Sequence, residues 1–268
     1  MNKKIAFCGC GNMGEAMLRI MLDKKVAQSA DITINVPTPA RREYLEQTYG
    51  VKAFADASEA TKDADIVIIA VLPKVVATVC EGLKDVTKKD ALFISVAAGI
   101  NLTSMEEKLG PNRKIVRVMP NTLNKTGHGF SAATPNANVT EDDKAIVTEI
   151  LNLLGQSVYI NEDMFNEFTA FSCSGPIWFY QIVESLIDAG VYSGFSRKLA
   201  TEIVLNNMLG VAKILNEGGE TPKDRIDEIC SPGGVTVEAY ASLIEHGFSD
   251  AIMQSVKDAI AKTYALKK

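Results

Sequence analysis

Lys4-Ile5-Ala6-Phe7-Cys8-Gly9-Cys10-Gly11-Asn12-Met13-Gly14 is the stretch that decides the fold. A short apolar run reads as a strand, and a G-x-G-x-x-G array follows it at once and opens an amphipathic segment. In a strand–turn–helix unit each glycine has its own task. The first permits the tight turn, the second lets backbone approach a pyrophosphate, and the third lets the helix pack on the strand. The positive end of the helix then favours a bound anion. A turn kept only for packing would carry the same glycines. The context favours a dinucleotide site, because further strand–helix units stand behind this one.

Working outward, strands are predicted at Lys4–Cys8, Asp31–Val36, Ile66–Val71, Ala91–Val96 and Lys114–Val118, with helical stretches between them. Ile66-Val67-Ile68-Ile69 is apolar at every position, as a central strand buried on both faces requires. Thr38-Pro39 reads as a helix start with a cap residue and a first-turn proline. Thr140-Glu141-Asp142-Asp143 reads as another, with acids at its positive end. Residues 1–160 are therefore expected to form a parallel sheet covered by helices on both sides.

Beyond residue 160 the β signal ends. Phe165–Phe171, Ile177–Tyr192, Arg197–Leu215, Lys223–Ile229, Val237–Glu245 and Asp250–Leu266 carry apolar residues at helical spacing. Gly, Ser or Pro breaks fall at 172–176, 193–196, 218–222, 231–234 and 246–249. Residues 161–268 are expected to be all-helical. Ile203-Val204-Leu205, Met208-Leu209 and Val211-Ala212 put apolar groups on more than one helix face. A domain of about a hundred residues cannot bury that much alone, which predicts an oligomer.

Composition narrows the function classes. Of the 268 residues 47% are hydrophobic and 23% charged, with a net charge of −5, so a basic footprint for nucleic acid is missing. The five cysteines (8, 10, 80, 173 and 230) show neither C-x-x-C spacing nor neighbouring histidines, and so predict reduced thiols and no metal site. After the basic Met1-Asn2-Lys3-Lys4 only Ile5 to Cys8 are apolar, too short for a signal peptide, and no later run suits a membrane span. A cytoplasmic protein is expected.

The end of the second strand bears on the choice of dinucleotide. Asn35-Val36-Pro37-Thr38 has no acid for a ribose 2′-hydroxyl, and Arg41 and Arg42 follow within a turn. Guanidinium forks suit a 2′-phosphate, so NADPH is favoured over NADH. A solvated helix face is the plainer account of at least one of the two arginines. Asn121 and Thr122 follow the strand that ends in Val118-Met119-Pro120, where ligands of open α/β sheets bind; a Pro-Asn-Thr turn with no ligand is equally compatible. Ser172-Cys173-Ser174-Gly175-Pro176 reads as a break between helices, serving either a ligand or a kink. His128 and His246, the only histidines, sit in Gly-rich turns without a carboxylate or serine partner, and read as surface residues.

Near the C-terminus Cys230-Ser231-Pro232-Gly233-Gly234-Val235-Thr236 lies between two helical segments. Its glycines expose backbone N–H groups, two hydroxyls flank them, and a helix begins just after. A small anion fits that arrangement, as does a helix cap with no ligand.

Taken together, Gly9-x-Gly11-Asn12-Met13-Gly14, Val118-Met119-Pro120-Asn121-Thr122, Ser172-x-Ser174-Gly175-Pro176 and Ser231-Pro232-Gly233-Gly234-x-Thr236 resemble, in order and spacing, the pyrroline-5-carboxylate reductase family. The resemblance spans nearly the whole chain. It implies a Rossmann domain (1–160), then a helical substrate-binding and dimerisation domain (161–268), and a homodimer or larger ring. The implied reaction is NAD(P)H reduction of the imine 1-pyrroline-5-carboxylate to L-proline. By motif, Gly9, Gly11, Asn12, Met13 and Gly14 would meet the pyrophosphate, and Val71, Pro73, Lys74 and Asn121 the nicotinamide half. Asn35 and Arg41 are expected at the cofactor's 2′-position from their place at the end of the second strand, rather than from the resemblance. Ser231, Gly233, Gly234 and Thr236 would hold the substrate, with the Thr236 hydroxyl at the imine nitrogen. Leu123, Cys173 and Ile177-Trp178 depart from the family pattern. Two rivals remain: a 3-hydroxyacid dehydrogenase, whose catalytic lysine is missing from Phe165–Tyr192, and a non-catalytic nucleotide-binding regulator.

Overall fold

The computed structural model describes residues 3–265; Met1, Asn2 and residues 266–268, including the predicted helix end at Leu266, lie outside the described residues. Among the described residues eight strands form one sheet: β1 Ile5–Cys8, β2 Ile32–Asn35, β3 Lys52–Phe54, β4 Ile66–Ile69, β5 Leu92–Ser95, β6 Lys114–Met119, β7 Gly129–Pro135 and β8 Gly155–Tyr159. Their spatial order is β3-β2-β1-β4-β5-β6-β7-β8. Ile5 pairs with Ile32 on one side and with Ile66 on the other, so β1 is central and the chain winds away from it in both directions.

Pairing is parallel from β3 through β6. The five strands expected from the sequence are β1, β2, β4, β5 and β6, all parallel, and β3, β7 and β8 add to them at the two edges. At the far edge β7 runs antiparallel to β6, with Val116 opposite Pro135, and β8 is parallel to β7. Gly129-Phe130-Ser131-Ala132-Ala133-Thr134-Pro135 and Gly155-Gln156-Ser157-Val158-Tyr159 are rich in small and polar residues, and β3 has only three residues. None of the three displays the run of large apolar residues by which the other strands are legible.

The helices of the sheet domain are α1 Asn12–Asp23, α2 Pro39–Tyr49, α3 Ala57–Thr61, α4 Pro73–Leu83, α5 Leu102–Leu109 and α6 Glu141–Asn152. Strand alternation divides the core into two layers. Ile5, Phe7, Ile66 and Ile68 face Met17, Leu18 and Met21 of α1 and Val147 and Ile150 of α6. Ala6, Cys8, Val67 and Ile69 face Val76 and Cys80 of α4 and Met105 of α5. Each Val, Ile, Leu, Phe or Met side chain among these contributes roughly 1.5–3 kcal/mol on burial.

Next come α7 Phe165–Phe168, α8 Ser174–Tyr192, α9 Arg197–Gly218, α10 Pro222–Ile229, α11 Val235–Glu245 and α12 Phe248–Ala265. The predicted interruption at 172–176 is not a break. A π-helical turn, Thr169–Cys173, joins α7 to α8 without leaving helix. Pro176 has no N–H for the Ser172 carbonyl, and a π-turn is a way for a helix to absorb such a gap. The described residues through Cys173 and the stretch Ser174–Tyr264 form two compact units.

In the helical unit, among the described residues, Ile187 and Ala200 are the buried aliphatic side chains besides Pro176. Phe179 and Val211 are 58% exposed and Leu209 is 69% exposed. An apolar cavity of about 670 Å³ is lined by α8 and α9 residues including Phe179, Leu186, Val204, Met208 and Val211. No helix among the described residues is long and apolar enough to cross a membrane.

Candidate functional site

The turn after β1 is built on steric grounds. Gly9 has φ +84°, and a Cβ there would stand 2.6 Å from Val71 Cγ1 and 2.8 Å from the Ala70 carbonyl oxygen. At Gly14 a Cβ would lie 3.0 Å from the Gly9 carbonyl oxygen and 3.2 Å from Ala70 Cβ, so the helix can sit this close to β4 only without a side chain. Gly11 differs from both: a Cβ there meets nothing within 4 Å, and the space in front of it is open. Glu15 N donates to Gly11 O at 2.8 Å as the first bond of α1, which leaves the N–H groups of Asn12, Met13 and Gly14 outside the ladder. Met13 is half-buried, its sulfur accepting from Asn124 Nδ2 at 3.9 Å. Cys10 lies within the turn with its thiol pushed up to about 11 by burial, and so stays protonated.

At the end of β2 the two arginines have separate partners. Arg42 Nη1 donates to the carbonyls of Val36 and Pro37, both at 2.8 Å, and ties the strand exit to α2. Arg41 donates Nε and Nη2 to Cys10 O (3.2 and 2.8 Å) and Nη2 to Glu15 Oε2 (2.5 Å). Asn35 is buried, with Nδ2 donating to Ala55 O at 2.8 Å. Thr38 occupies the N-cap position of α2, but its side chain makes no capping bond. Glu15 escapes a reading of motifs because its partners Arg41, Tyr44 and Tyr49 lie 26 to 34 residues away on another helix.

Beyond β4, Val71 packs on Gly9, while Pro73 and Lys74 are exposed in the first turn of α4. Thus Gly9, Gly11, Asn12, Met13, Gly14, Asn35, Arg41, Val71, Pro73 and Lys74 share the carboxyl ends of β1, β2 and β4, where the strand order reverses. Asn121 stands apart at the end of β6. It is buried, its Oδ1 accepts from the N–H groups of Leu123 (3.2 Å) and Phe130 (3.3 Å), and its Nδ2 donates to Ser172 Oγ (3.3 Å). Cys173 directs its thiol to the Pro120 carbonyl at 3.6 Å.

In the helical unit Ser231–Gly234 closes a turn through Gly234 N donating to Ser231 O at 3.0 Å, with Pro232 second and Gly233 third at φ +67°. Proline at the second position and a positive φ at the third are the type II arrangement. Ser231 Oγ fills the space a Gly234 Cβ would need. Gly234 is the N-cap of α11 and no side chain caps that helix, so neither Ser231 nor Thr236 serves as its cap. Ser231, Gly233 and Thr236 are exposed. His128 and His246 are exposed as well, the latter with Nδ1 2.9 Å from Ser242 O.

Helix starts fall into two groups. Asp56, Asn101, Thr140, Ser196 and Thr221 cap α3, α5, α6, α9 and α10 with their side chains. No side chain caps α1, α2, α4 or α11. Besides the short α7, whose start is also uncapped, these uncapped starts lie beside the glycine turn, the β2 exit, the β4 exit and the 231–236 loop. Their orphan N–H groups are available to a ligand.

Comparison with known proteins finds two family models along the chain. Residues 162–266 match the family model for pyrroline-5-carboxylate reductase dimerisation, and residues 4–99 match the model for NADP oxidoreductases, coenzyme F420-dependent. The pyrroline-5-carboxylate reductase of Escherichia coli strain K12 is 35% identical over 268 residues, covering 100% of both chains. The chain belongs to the pyrroline-5-carboxylate reductase family. Among solved structures, the pyrroline carboxylate reductase of Plasmodium falciparum with NADP bound superposes with a TM-score of 0.87 at 31% identity, covering 100% of this chain and 99% of that one. The family enzyme of Coxiella burnetii gives 0.92 at 26%, covering 100% of each.

Proposed function

We infer that the protein reduces 1-pyrroline-5-carboxylate to L-proline at the expense of NADPH. The observation that carries this is the 35% identity to the Escherichia coli enzyme along the entire length, in a chain that has both the Gly9–Gly14 and the Ser231–Thr236 loops. The open space at Gly11 and the unpaired N–H groups of Asn12, Met13 and Gly14 fit a pyrophosphate. Val71, Pro73 and Lys74 would flank the nicotinamide half, and Arg41 would meet the 2′-phosphate. When bound, the dihydronicotinamide supplies a hydride.

Ser231 and the N–H groups of the glycine turn would hold the substrate carboxylate, and the Thr236 hydroxyl would contact the ring nitrogen. The imine carbon takes the hydride, the C=N π pair moves to nitrogen, and nitrogen keeps the proton it carries as an iminium ion. The 231–236 loop contains no titratable side chain. Its task is to position the ring and stabilise charge rather than to transfer a proton. Following NADPH oxidation with pyrroline-5-carboxylate, beside NADP reduction with 3-hydroxyacids, tests the assignment. Turnover with hydroxyacids alone would overturn it.

The arginines give a separable prediction. Arg41→Ala should raise the Michaelis constant for NADPH about fivefold and spare NADH, as loss of one charge-assisted contact would. Arg42→Ala should instead lower the melting temperature, since its bonds go to Val36 and Pro37. Higher wild-type efficiency with NADH than with NADPH would refute the NADPH reading.

The exposed apolar faces of α8 and α9, with the dimerisation model over residues 162–266, support a homodimer or larger homo-oligomer in which a second copy covers them. Sedimentation at micromolar concentration should show no stable monomer of 29.0 kDa; a stable, active monomer would refute this. Free thiols at Cys8, Cys10, Cys80, Cys173 and Cys230 and a net charge of −5 fit a cytoplasmic enzyme with no nucleic-acid partner.

A further inference from the structure

Glu15 belongs to none of the motifs that point to the cofactor, yet α1 delivers its carboxylate to the end of β2. Oε2 accepts from Arg41 Nη2 at 2.5 Å, while Oε1 accepts from the hydroxyls of Tyr49 (2.8 Å) and Tyr44 (3.0 Å). The Arg41 guanidinium lies 4.9 Å from the centre of the Tyr44 ring, and the rings of Tyr44 and Tyr49 meet edge to face. The Arg41 and Glu15 side chains are 29% and 21% exposed, so the pair is ordered but reachable from solvent. Burial opposes ionisation of Glu15; donation from Arg41, Tyr49 and Tyr44 outweighs it and holds the carboxyl below the usual range. Glu15 is thus a carboxylate at neutral pH.

The location gives that charge a meaning. In dinucleotide-binding sheets an acid at the end of the second strand accepts from a ribose 2′-hydroxyl, and an arginine nearby accommodates a 2′-phosphate. Asn35 leaves the strand itself without an acid, and Glu15 brings one from a different helix to the same arginine. The guanidinium edge that would grip a phosphate is already paired with a carboxylate. A 2′-phosphate arriving there competes with Glu15 for the Arg41 Nη2 group and meets its negative charge as it does so.

We propose that Glu15 is a specificity-determining residue that competes with the cofactor's 2′-phosphate for Arg41 and so restrains the preference for NADPH over NADH. The proposal rests on the assignment of Arg41 to the 2′-phosphate. Tyr44 and Tyr49 are positioning residues here, since they hold the carboxylate through its other oxygen.

Titration calorimetry of the full chain with 2′,5′-ADP and with 5′-AMP isolates the 2′-phosphate, because the two ligands differ in nothing else. Glu15→Gln should bind 2′,5′-ADP about tenfold more tightly than wild type, with 5′-AMP altered less than about twofold. Glu15→Ala removes the charge without offering an amide and should show the same gain. Adding Arg41→Met to E15Q should abolish it. Circular-dichroism melts establish which variants are folded, and either folded variant decides the matter.

If wild type prefers 2′,5′-ADP and the Glu15 variants gain nothing, the competition is refuted while the role of Arg41 stands. If wild type shows no preference and the variants acquire one, Glu15 masks Arg41 as proposed and the wild-type NADPH preference falls. If neither wild type nor variants distinguish the ligands, both ideas fail.

Discussion

Replacing Gly11 by alanine is expected to leave the fold intact and to weaken NADPH binding by roughly tenfold to a hundredfold, the scale of one methyl group forced into a fitted contact. Gly11 has φ −80° and ψ −160°, ordinary extended backbone that alanine adopts without strain. Its Cβ would point into open space, so no protein atom need move. Whatever Gly11→Ala disturbs must therefore be a group that approaches from outside. Gly9→Ala is the control. There the positive φ and the 2.6 Å approach to Val71 make the side chain incompatible with the turn itself, and the melting temperature should fall together with binding. Unchanged affinity for NADPH in a folded G11A protein would show that the pyrophosphate does not pass over this glycine.

Thr236→Ala should lower kcat/KM for pyrroline-5-carboxylate by about 1–3 kcal/mol, roughly fivefold to 150-fold, the range for a lost hydrogen bond to a charged group. The hydroxyl is exposed, lies in the first turn of α11 and has no hydrogen-bond partner among the described residues. Its removal should not cost stability, because α11 is not capped by a side chain. NADPH affinity should stay within about twofold of wild type, since the cofactor's phosphates are assigned to the glycine turn after β1. A T236A enzyme with unaltered kinetics, or one that loses only NADPH affinity, would remove the loop from the substrate site.

The two substitutions also mark how much of the site was legible in the sequence. Gly9, Gly11 and Gly14 are readable because a sharp turn, an unobstructed approach and a close helix–strand contact each demand the absence of a side chain, wherever the rest of the chain lies. Pro232, Gly233 and Gly234 are readable for the same local reason. Strands β1, β2, β4, β5 and β6 announce themselves as short, mostly apolar and mostly buried runs. β7 and β8 do not, because Gly129, Ser131, Ala132, Gly155 and Ser157 carry little propensity; their pairing is imposed by the neighbouring edge of the sheet.

Local sequence thus determined five of the eight strands, the glycine turn after β1, the helical second half and its excess of apolar surface. Only the tertiary structure decided which polar groups remain available. Arg41 and Arg42 are adjacent and chemically alike, yet the fold pairs one with strand-end carbonyls and the other with Cys10 and Glu15. Asn121 reads as a ligand contact in the sequence, and the fold additionally sets its Oδ1 to accept from Leu123 and Phe130 in the turn between β6 and β7. Glu15 is an unremarked helix residue until α2 places Arg41, Tyr44 and Tyr49 around it. A hydrogen bond needs its two atoms within about 3 Å, and a partner 26 or 34 residues away is brought to that distance only by the packing of one helix against another.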